Sequence, residues 1–323
     1  MRRLFLRLFL ACMAFHSVGS VFAANYPNRP LKLIVPWASG GSTDALARVI
    51  GQRMSVTLGQ EILVENRPGA GGSLGVAAAA KASSDGYTLT VIELPHAIAP
   101  AVVAKLPYDL KRDFTPISLI GTSALMLFTN TSIAAHQSLA GLMAEARTKP
   151  GAVALAHSGT GASSHLAGEL LQNRTGLTFN LVPYRGSGPA LTDLAGSQVA
   201  AHFATLASAS ALVSAGKVKP IAVASARRLP IMTDVPTLGE LGVPDMNVEQ
   251  WWGLVAPSGT PVRIIERLRS ELHAALGHPS VRERLRLLAI EKQPTSPAEF
   301  ARFIEAETQR WGQVARAAGI KPE

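Results

Sequence analysis

Cysteine is almost absent from this chain: Cys12 is the only one in 323 residues. A single thiol excludes a disulfide framework, a CxxC zinc or redox site and an iron–sulfur cluster. Aromatic residues make up only 6% of the chain and charged residues 16%. No basic run is interleaved with aromatic residues, which disfavours nucleic-acid binding. The 47% of hydrophobic residues exclude a disordered chain and predict a globular one.

The first 23 residues have the pattern of a secretory signal peptide. A basic head carrying Arg2, Arg3 and Arg7 is followed by a short apolar run over residues 8–15. Small residues then precede the cleavage site that we predict after Ala23. The apolar run is shorter than a membrane span, and Cys12 lies inside it rather than in a lipoprotein box. Residues 2–7 also resemble a twin-arginine export signal, but the head is very short, which favours the general route.

Removal of the signal would leave a mature chain without cysteine, which excludes thiol catalysis and suits an oxidising compartment such as the periplasm. Of the 31 Lys+Arg, 28 would remain against 22 Asp+Glu, with the excess spread along the chain. This balance favours small anions as ligands. No later stretch reaches about 18 apolar residues, so the mature protein is predicted to be soluble.

Short apolar runs alternate with amphipathic stretches from residue 31 onward, which predicts α/β architecture with mostly parallel sheets. Strands are predicted at 31–35, 62–64, 87–93, 125–129, 153–156, 179–182, 199–203, 221–224 and 249–255. Helices are predicted at 43–58, 74–82, 139–148, 164–174, 190–195, 261–276, 281–288 and 298–318. The helical tail has no sheet of its own and should pack on the first half. We therefore predict a discontinuous first domain, residues 24–124 and 249–323, and a second domain of residues 125–248.

Three loops rich in small residues follow predicted strands and precede helices, at residues 36–44, 157–164 and 184–189. Each places hydroxyls, open backbone N–H groups and the positive end of a helix at the carboxyl edge of a sheet. Open α/β sheets bind ligands at this edge, and these groups suit a carboxylate or phosphate. Helix capping alone would explain any one loop, but their occurrence in both halves favours a shared anion cleft.

Motifs that suggest catalysis do not fit their context. Residues 71–75 (GGSLG) match the GxSxG pattern, but residues 65–70 separate Ser73 from the preceding strand, whereas a nucleophile elbow needs a sharp turn. Ser73 is better explained as a helix cap, although a secreted serine hydrolase stays an alternative. No glycine-rich nucleotide motif is complete, and the eight histidines form no metal-ligand pattern. The sequence therefore predicts no catalytic residue, no metal site and no cofactor.

Two histidine positions leave alternatives open. His96 follows a predicted strand that ends at Glu93, and could line a cleft or serve as a cap. His157 and His165 flank one small-residue loop and could meet in space, which is a weak metal signal.

Several segments together resemble one family of receptors. They are residues 26–30 (YPNRP), 40–44 (GGSTD), 64–72 (VENRPGAGG), 85–89 (DGYTL), 182–190 (VPYRGSGPA), 235–237 (VPT), 252–254 (WGL) and 256–261 (APSGTP). These segments span nearly the whole mature chain. They resemble the Bug family, the extracytoplasmic solute receptors of tripartite tricarboxylate transporters.

The resemblance implies a type II periplasmic binding protein with two doubly wound α/β domains joined by two crossing strands. It implies a monomer that closes around a small organic acid, holds a carboxylate largely through backbone groups and waters, and delivers it to the transporter's membrane subunits. A receptor that signals to a membrane sensor would have the same sequence features. Carried over by position, the ligand contacts would be Ser39, Gly40, Gly41, Ser42, Thr43, Asp44, Pro95, His96, Ser158, Gly159, Thr160, Ser163, His165, Tyr184 and Arg185.

For some of these residues the sequence allows a second role. Asp44 is unusual beside an anion, so it either caps its own helix or meets a polar group of the ligand. Tyr184 could contact the ligand or pack at the hinge, and Arg185 could pair with a second carboxylate or be a solvated loop charge. Residues 251–252, a pair of tryptophans, favour core or hinge packing.

One position departs from the family pattern. Relatives often carry Asp after the phenylalanine that ends the strand at 199–203, whereas this chain has Ala204. The loss disfavours an amino-acid ligand and favours a plain carboxylate, such as an aromatic or dicarboxylic acid.

Overall fold

The computed structural model describes residues 26–317. The predicted signal peptide and Cys12 lie outside the described residues. The described chain forms two α/β lobes, each built on one mixed sheet, and none of the described helices is long and apolar enough to span a membrane.

The first sheet has six strands in the order β2-β1-β3-β10-β4-β11. These are β1 (Leu31–Val35), β2 (Ile62–Asn66), β3 (Thr88–Glu93), β4 (Phe114–Ala124), β10 (Glu249–Pro257) and β11 (Glu291–Lys292). Helices from both ends of the chain complete this first lobe. They are α1 (Ser42–Leu58), α2 (Ser73–Ala80), α3 (Leu94–Val102), α8 (Val262–Gly277), α9 (Pro279–Leu287) and α10 (Pro297–Ala317).

The second sheet has five strands in the order β7-β6-β8-β5-β9. They are β5 (Met126–Asn130), β6 (Ala154–His157), β7 (Asn180–Pro183), β8 (Ala201–Ala204) and β9 (Val218–Val223). The second lobe also contains α4 (Leu139–Thr148), α5 (Ser163–Thr175), α6 (Ser187–Ala195) and α7 (Leu206–Ser214). The two-lobe α/β fold agrees with the predicted fold class, while the domain limits at residues 124 and 248 stay a prediction.

The expectation of mostly parallel sheets was wrong for the strands nearest the connections. β1 pairs in parallel with β2 and β3, and β6 with β7 and β8. β10 is antiparallel to both β3 and β4, and β5 is antiparallel to both β8 and β9. The reason is that the connecting strands enter each sheet from the other lobe rather than through a crossover helix.

Two connections join the lobes, between β4 and β5 and between β9 and β10. Their backbones bond to one another: Leu125 N donates to Val248 O (3.0 Å), Ala224 N to Leu125 O (2.8 Å) and Val248 N to Ala224 O (3.0 Å). The apolar core continues across them, because one buried cluster contains both Leu125 and Trp251. The connections thus form a narrow, ordered hinge.

Trp251 and Trp252 are both buried in β10, which confirms the packing interpretation of this pair. Trp251 meets the rings of Phe300 and Phe303 edge-on and its indole donates to Glu307 Oε2 at 3.0 Å. The tail is therefore anchored on the first lobe by aromatic packing and a buried indole–carboxylate hydrogen bond.

Candidate functional site

Carboxyl ends of strands and amino ends of helices from both lobes line a cleft between the lobes. The first lobe lines it with Trp37, Ala38, Gly41, Ser42, Thr43, Glu93, Pro95 and Gln250. The hinge and second lobe contribute Leu125, Ala162, Ser163, Ser164, Ser158, Gly186, Ser187, Gly188, Phe203, Ala204, Thr205 and Ser208. The space left for the centres of water molecules is about 50 Å³, which is room for a few waters at 10–15 Å³ each. The lobes are therefore closed on a small site.

Of the helices that begin at this cleft, α3 has a capping box formed by Glu93 and His96, whereas the first turns of α1, α5, α6 and α7 are not capped by the residues that precede them. The residues that precede them are Gly41, Ala162, Gly186 and Thr205, and in the described structure none of these makes a side-chain hydrogen bond to its helix. Away from the cleft, α4 is capped by Ser138, which accepts from Gly141 N at 3.1 Å. Glycine and alanine offer no side-chain acceptor, so backbone N–H groups at the cleft remain able to bind a ligand, apart from the Ser42 N–H, which donates to Ser208 Oγ.

The electrostatics of the cleft depend on these helices. Among the described residues that line it there is no Lys or Arg, and Glu93 is the single acidic side chain. Burial raises the pKa of Glu93 to about 8, even though hydrogen bonds from Thr43 and Gln250 lower it. The carboxyl group is therefore mostly neutral at pH 7, and the helix N-termini give the cleft a positive potential suited to an anion.

A buried hydrogen-bond network holds the wall of the first lobe. Thr43 Oγ1 donates to Glu93 Oε2 at 3.0 Å and accepts from the indole Nε1 of Trp252 at 3.0 Å. The amide Nε2 of Gln250 donates to the same Oε2. The network ties the first turn of α1 to β3 and to the connecting strand β10, and so fixes the orientation of Glu93.

A chain of hydroxyls lines the second lobe. Ser158 Oγ lies 2.8 Å from Ser187 Oγ and 3.2 Å from Ser164 Oγ. Ser187 Oγ also lies 3.3 Å from His202 Nε2, whose Nδ1 is 2.8 Å from Ala156 O. A carbonyl can only accept, so His202 carries its proton on Nδ1, and Nε2 accepts from Ser187. Burial lowers the pKa of His202 to about 4, which keeps the ring neutral and fixes the direction of the chain.

The residues predicted from the sequence are placed in two groups. Those that line the cleft are Gly41, Ser42, Thr43, Pro95, Ser158 and Ser163. Those outside the lining set are Ser39, Gly40, Asp44, His96, Gly159, Thr160, His165, Tyr184 and Arg185. Two of the outer residues lie at the rim, since Ser39 O approaches Gly188 and Thr160 O approaches Gly71 across the gap between the lobes.

Asp44 and His96 make local contacts. Asp44 Oδ2 accepts from Gly40 N at 3.1 Å, and Arg48 lies within 3.2 Å of the same carboxylate. Burial alone would raise the pKa of Asp44, but the Arg48 and Gly40 hydrogen bonds lower it. His96 Nδ1 accepts from Glu93 N at 3.0 Å at the start of α3. The capping alternative describes the His96 contact, whereas Asp44 bonds to the loop before α1 and to Arg48 rather than to N–H groups of the first turn.

Three further predicted residues have partners or exposure of their own. Tyr184 donates its hydroxyl proton to Asp193 Oδ2 at 2.8 Å, and Arg185 is exposed. His157 and His165 do meet, with ring centroids 4.5 Å apart, yet no cluster of three metal-ligating side chains occurs among the described residues.

Ser73 is buried, with 5% exposure, at the first position of α2, and it is not among the cleft-lining residues. A Cβ on Gly75 of the same motif would lie 2.7 Å from Arg67 O and 2.8 Å from Pro36 Cα. The small residues of residues 71–75 thus let α2 pack closely on the loop after β1, which accounts for the motif without catalysis.

Several lining residues were missed by sequence reasoning. Ser187 and Gly188 lie in a loop that the sequence did single out, and Ala204 is the position that departs from the family pattern. Ser208 lies on α7, a helix that was not predicted. Trp37 lies in the loop over residues 36–44 that the sequence also singled out, and Gln250 carried no signal of its own.

Comparisons with known proteins give the family and support the fold. The profile of the family described as "Tripartite tricarboxylate transporter family receptor" matches residues 46–320. Protein BugT of Bordetella pertussis is 38% identical over 303 residues, covering 93% of each chain. The structure of Rpa4515 of R. palustris with adipate is 37% identical, with a TM-score of 0.88 over 92% of this chain and 100% of that one. MatC (Rpa3494) from Rhodopseudomonas palustris, solved with malate, is 34% identical, with a TM-score of 0.84 over 90% and 99%. With its sequence and its two-lobe fold both matched over most of their length, this chain belongs to the tripartite tricarboxylate transporter receptor family, as the resemblance to Bug receptors predicted.

Proposed function

We propose that the protein is a periplasmic receptor that captures a small organic carboxylate between its lobes and delivers it to the membrane subunits of a tripartite tricarboxylate transporter. The observation that carries the proposal is the convergence of α1, α5, α6 and α7 on a closed cleft with uncapped first turns. Relatives solved with adipate and malate support a carboxylate as the ligand class.

The binding chemistry follows from these groups. The carboxylate accepts from backbone N–H groups and from serine hydroxyls beside them, such as Ser42 and Ser163. Because N–H groups of both lobes bind the same anion, the ligand stabilises the closed arrangement over the open one. A membrane partner can then recognise the closed form, which is a population shift driven by differential affinity.

The first test compares dicarboxylates with their diamides in a thermal-shift and calorimetric screen of the mature protein. Succinate, malate and adipate are expected to raise Tm by mass action, whereas the diamides, which lack the charge, should not. Equal binding of acid and amide would contradict the proposal.

A pair of substitutions at Gly41 sharpens this test. Gly41 has an extended backbone (φ −82°), and a Cβ there would have open space, with Ala38 O 4.0 Å away. Gly41→Asp supplies a capping carboxylate that stabilises α1 by a few tenths of a kcal/mol relative to glycine, occupies its N–H groups and repels the ligand. Carboxylate binding should be lost while Tm of the ligand-free protein is unchanged or higher. The control, Gly41→Ala, adds only a methyl group and should retain binding.

Delivery is tested by uptake of the bound carboxylate into cells that express the membrane subunits with and without this chain. Uptake that does not depend on the chain would contradict the transport part of the proposal.

A further inference from the structure

Three side chains on the first-lobe wall of the cleft each keep a buried polar atom without a hydrogen-bond partner among the described residues. The atoms are Trp37 Nε1, Glu93 Oε1 and Gln250 Oε1, and all three side chains line the cleft. Glu93 and Gln250 are only 3% and 4% exposed. Buried polar atoms in native proteins are nearly always paired, so three such atoms on one wall of a cleft indicate that a polar group binds there.

The chemistry of each atom is fixed by its surroundings. An indole Nε1 only donates. The amide of Gln250 uses Nε2 to donate to Glu93 Oε2, so its Oε1 accepts. Glu93 Oε2 already accepts from both Thr43 and Gln250, so the proton of the neutral carboxyl group belongs on Oε1, which then donates. The wall therefore presents two donors and one acceptor.

This mixed set suits a hydroxyl group better than a carboxylate. A hydroxyl group both accepts and donates, so it can pair with a donor such as Trp37 or Glu93 and with the acceptor Gln250. A carboxylate has no proton, so one of its oxygens would face Gln250 Oε1 unpaired. No cationic side chain lines the cleft in the described chain to compensate. His96, which lies behind this wall with Nδ1 accepting from Glu93 N, is neutral because burial lowers its pKa to about 3.

We propose that Trp37, Glu93 and Gln250 form a hydroxyl subsite, and that the ligand of this receptor is a hydroxycarboxylate. The inference rests on the proposed function: the helix N-termini hold the carboxylate, and the hydroxyl subsite binds the hydroxyl on the same molecule. Specificity then comes from an uncharged group, since a ligand without the hydroxyl leaves the three buried atoms unpaired.

The test uses pairs of acids that differ by one hydroxyl group. The pairs are malate and succinate, lactate and propionate, citrate and tricarballylate, and mandelate and phenylacetate, each titrated calorimetrically into the mature protein at pH 7. In the pair that fits the cleft, the hydroxy acid is expected to bind at least about tenfold more tightly.

Variants assign the preference to the subsite. Trp37→Phe removes a donor but keeps an aromatic ring, and Gln250→Met removes the acceptor at similar volume; each should reduce the preference to about threefold or less. Glu93→Gln still offers a donor and an acceptor and should retain most of it. Tyr108→Phe is the matched control, because the Tyr108 hydroxyl is buried and unpaired among the described residues but does not line the cleft.

The outcomes separate the two proposals. Equal affinity within every pair, or a preference that survives both Trp37→Phe and Gln250→Met, overturns the hydroxyl subsite and leaves carboxylate binding intact. Failure of every carboxylate to bind overturns the proposed function and this inference with it. If Gln250→Met does not fold, Trp37→Phe, which changes only a half-buried ring, carries the test.

Discussion

The backbone amide of Ser42 donates a 3.1 Å hydrogen bond to the hydroxyl of Ser208, 166 residues away in sequence. Ser42 begins α1 in the first lobe and Ser208 lies on α7 in the second, so the bond exists only when the lobes are together. It therefore links the two lobes across the cleft.

Loss of the hydrogen bond between Ser42 and Ser208 should favour the open form. A hydrogen bond contributes about 0.5–1.5 kcal/mol, so Ser208→Ala is expected to weaken carboxylate binding about two- to tenfold and to increase the radius of gyration of the ligand-free protein by X-ray scattering. Ser210→Ala is the control, since the Ser210 hydroxyl bonds to Ala207 O on its own helix. An unchanged radius would mean that Ser208 does not hold the lobes together.

The Thr43 hydroxyl is hydrogen-bonded to both Trp252 and Glu93. Thr43→Val keeps the shape but leaves the Trp252 indole unpaired and removes a donor from Glu93, so the free energy of unfolding should fall by about 1–3 kcal/mol. Urea denaturation measures the change. For Thr57→Val, on the same helix, the free energy of unfolding should fall less, because the Thr57 hydroxyl bonds only to Met54 O within its own turn. Equal losses would contradict a role for the network.

Because of Glu93, the free energy of unfolding should fall as the pH rises. Its pKa is raised from 4.5 to about 8 in the folded protein, so between these values the native state binds more protons than the unfolded state. Stability therefore falls as the pH rises through this window, by up to about 1.4 kcal/mol per pH unit. Glu93→Gln should lack this fall, and the difference between wild-type and variant from pH 5 to pH 8 isolates it from the histidines. Parallel curves would show that Glu93 is ionised in the folded protein.

Gly253 permits the tail to pack on β10. A Cβ at this position would lie 1.8 Å from Phe300 Cζ, so Gly253→Ala is expected to destabilise the protein by about 3 kcal/mol or more. Adding Phe300→Leu should recover part of the loss in a double-mutant cycle. Gly277→Ala is the control, because a Cβ there meets nothing within 4 Å.

Local chemistry made much of the fold predictable. The run at Leu31–Val35 was predicted with its observed bounds, and so was Leu139–Thr148, which has a serine cap and ends before a proline and a glycine. Four elements were missed. α3 contains Pro95 and Pro100, which argue against a helix, and β4 contains Pro116 and Gly121 and shows no clear alternation. α7 is a short Ala/Ser-rich segment, and β11 has only two residues.

The candidate site likewise contains some residues that could be predicted from the sequence and others that could not. The loops before α1, α5 and α6 were predictable because helix starts depend on neighbours in sequence. Ser208 and Gln250 were not, because their position at the cleft depends on how the lobes meet. Likewise, nothing near Tyr184 in the sequence indicates that its hydroxyl donates to Asp193, so its role as a ligand contact stays a prediction.

The place of β10 in the first sheet sets the order in which the chain can fold. β10 lies between β3 and β4, so the strands made first, β1 to β4, form two separate parts until residues 249–257 are present. The second sheet uses only residues 126–223, so its hydrogen bonds do not require residues 249–257. The half of the cleft built from serines and helix starts of the second lobe can therefore form before its opposite wall, and completion of the first lobe around β10 is then the step that creates the binding site.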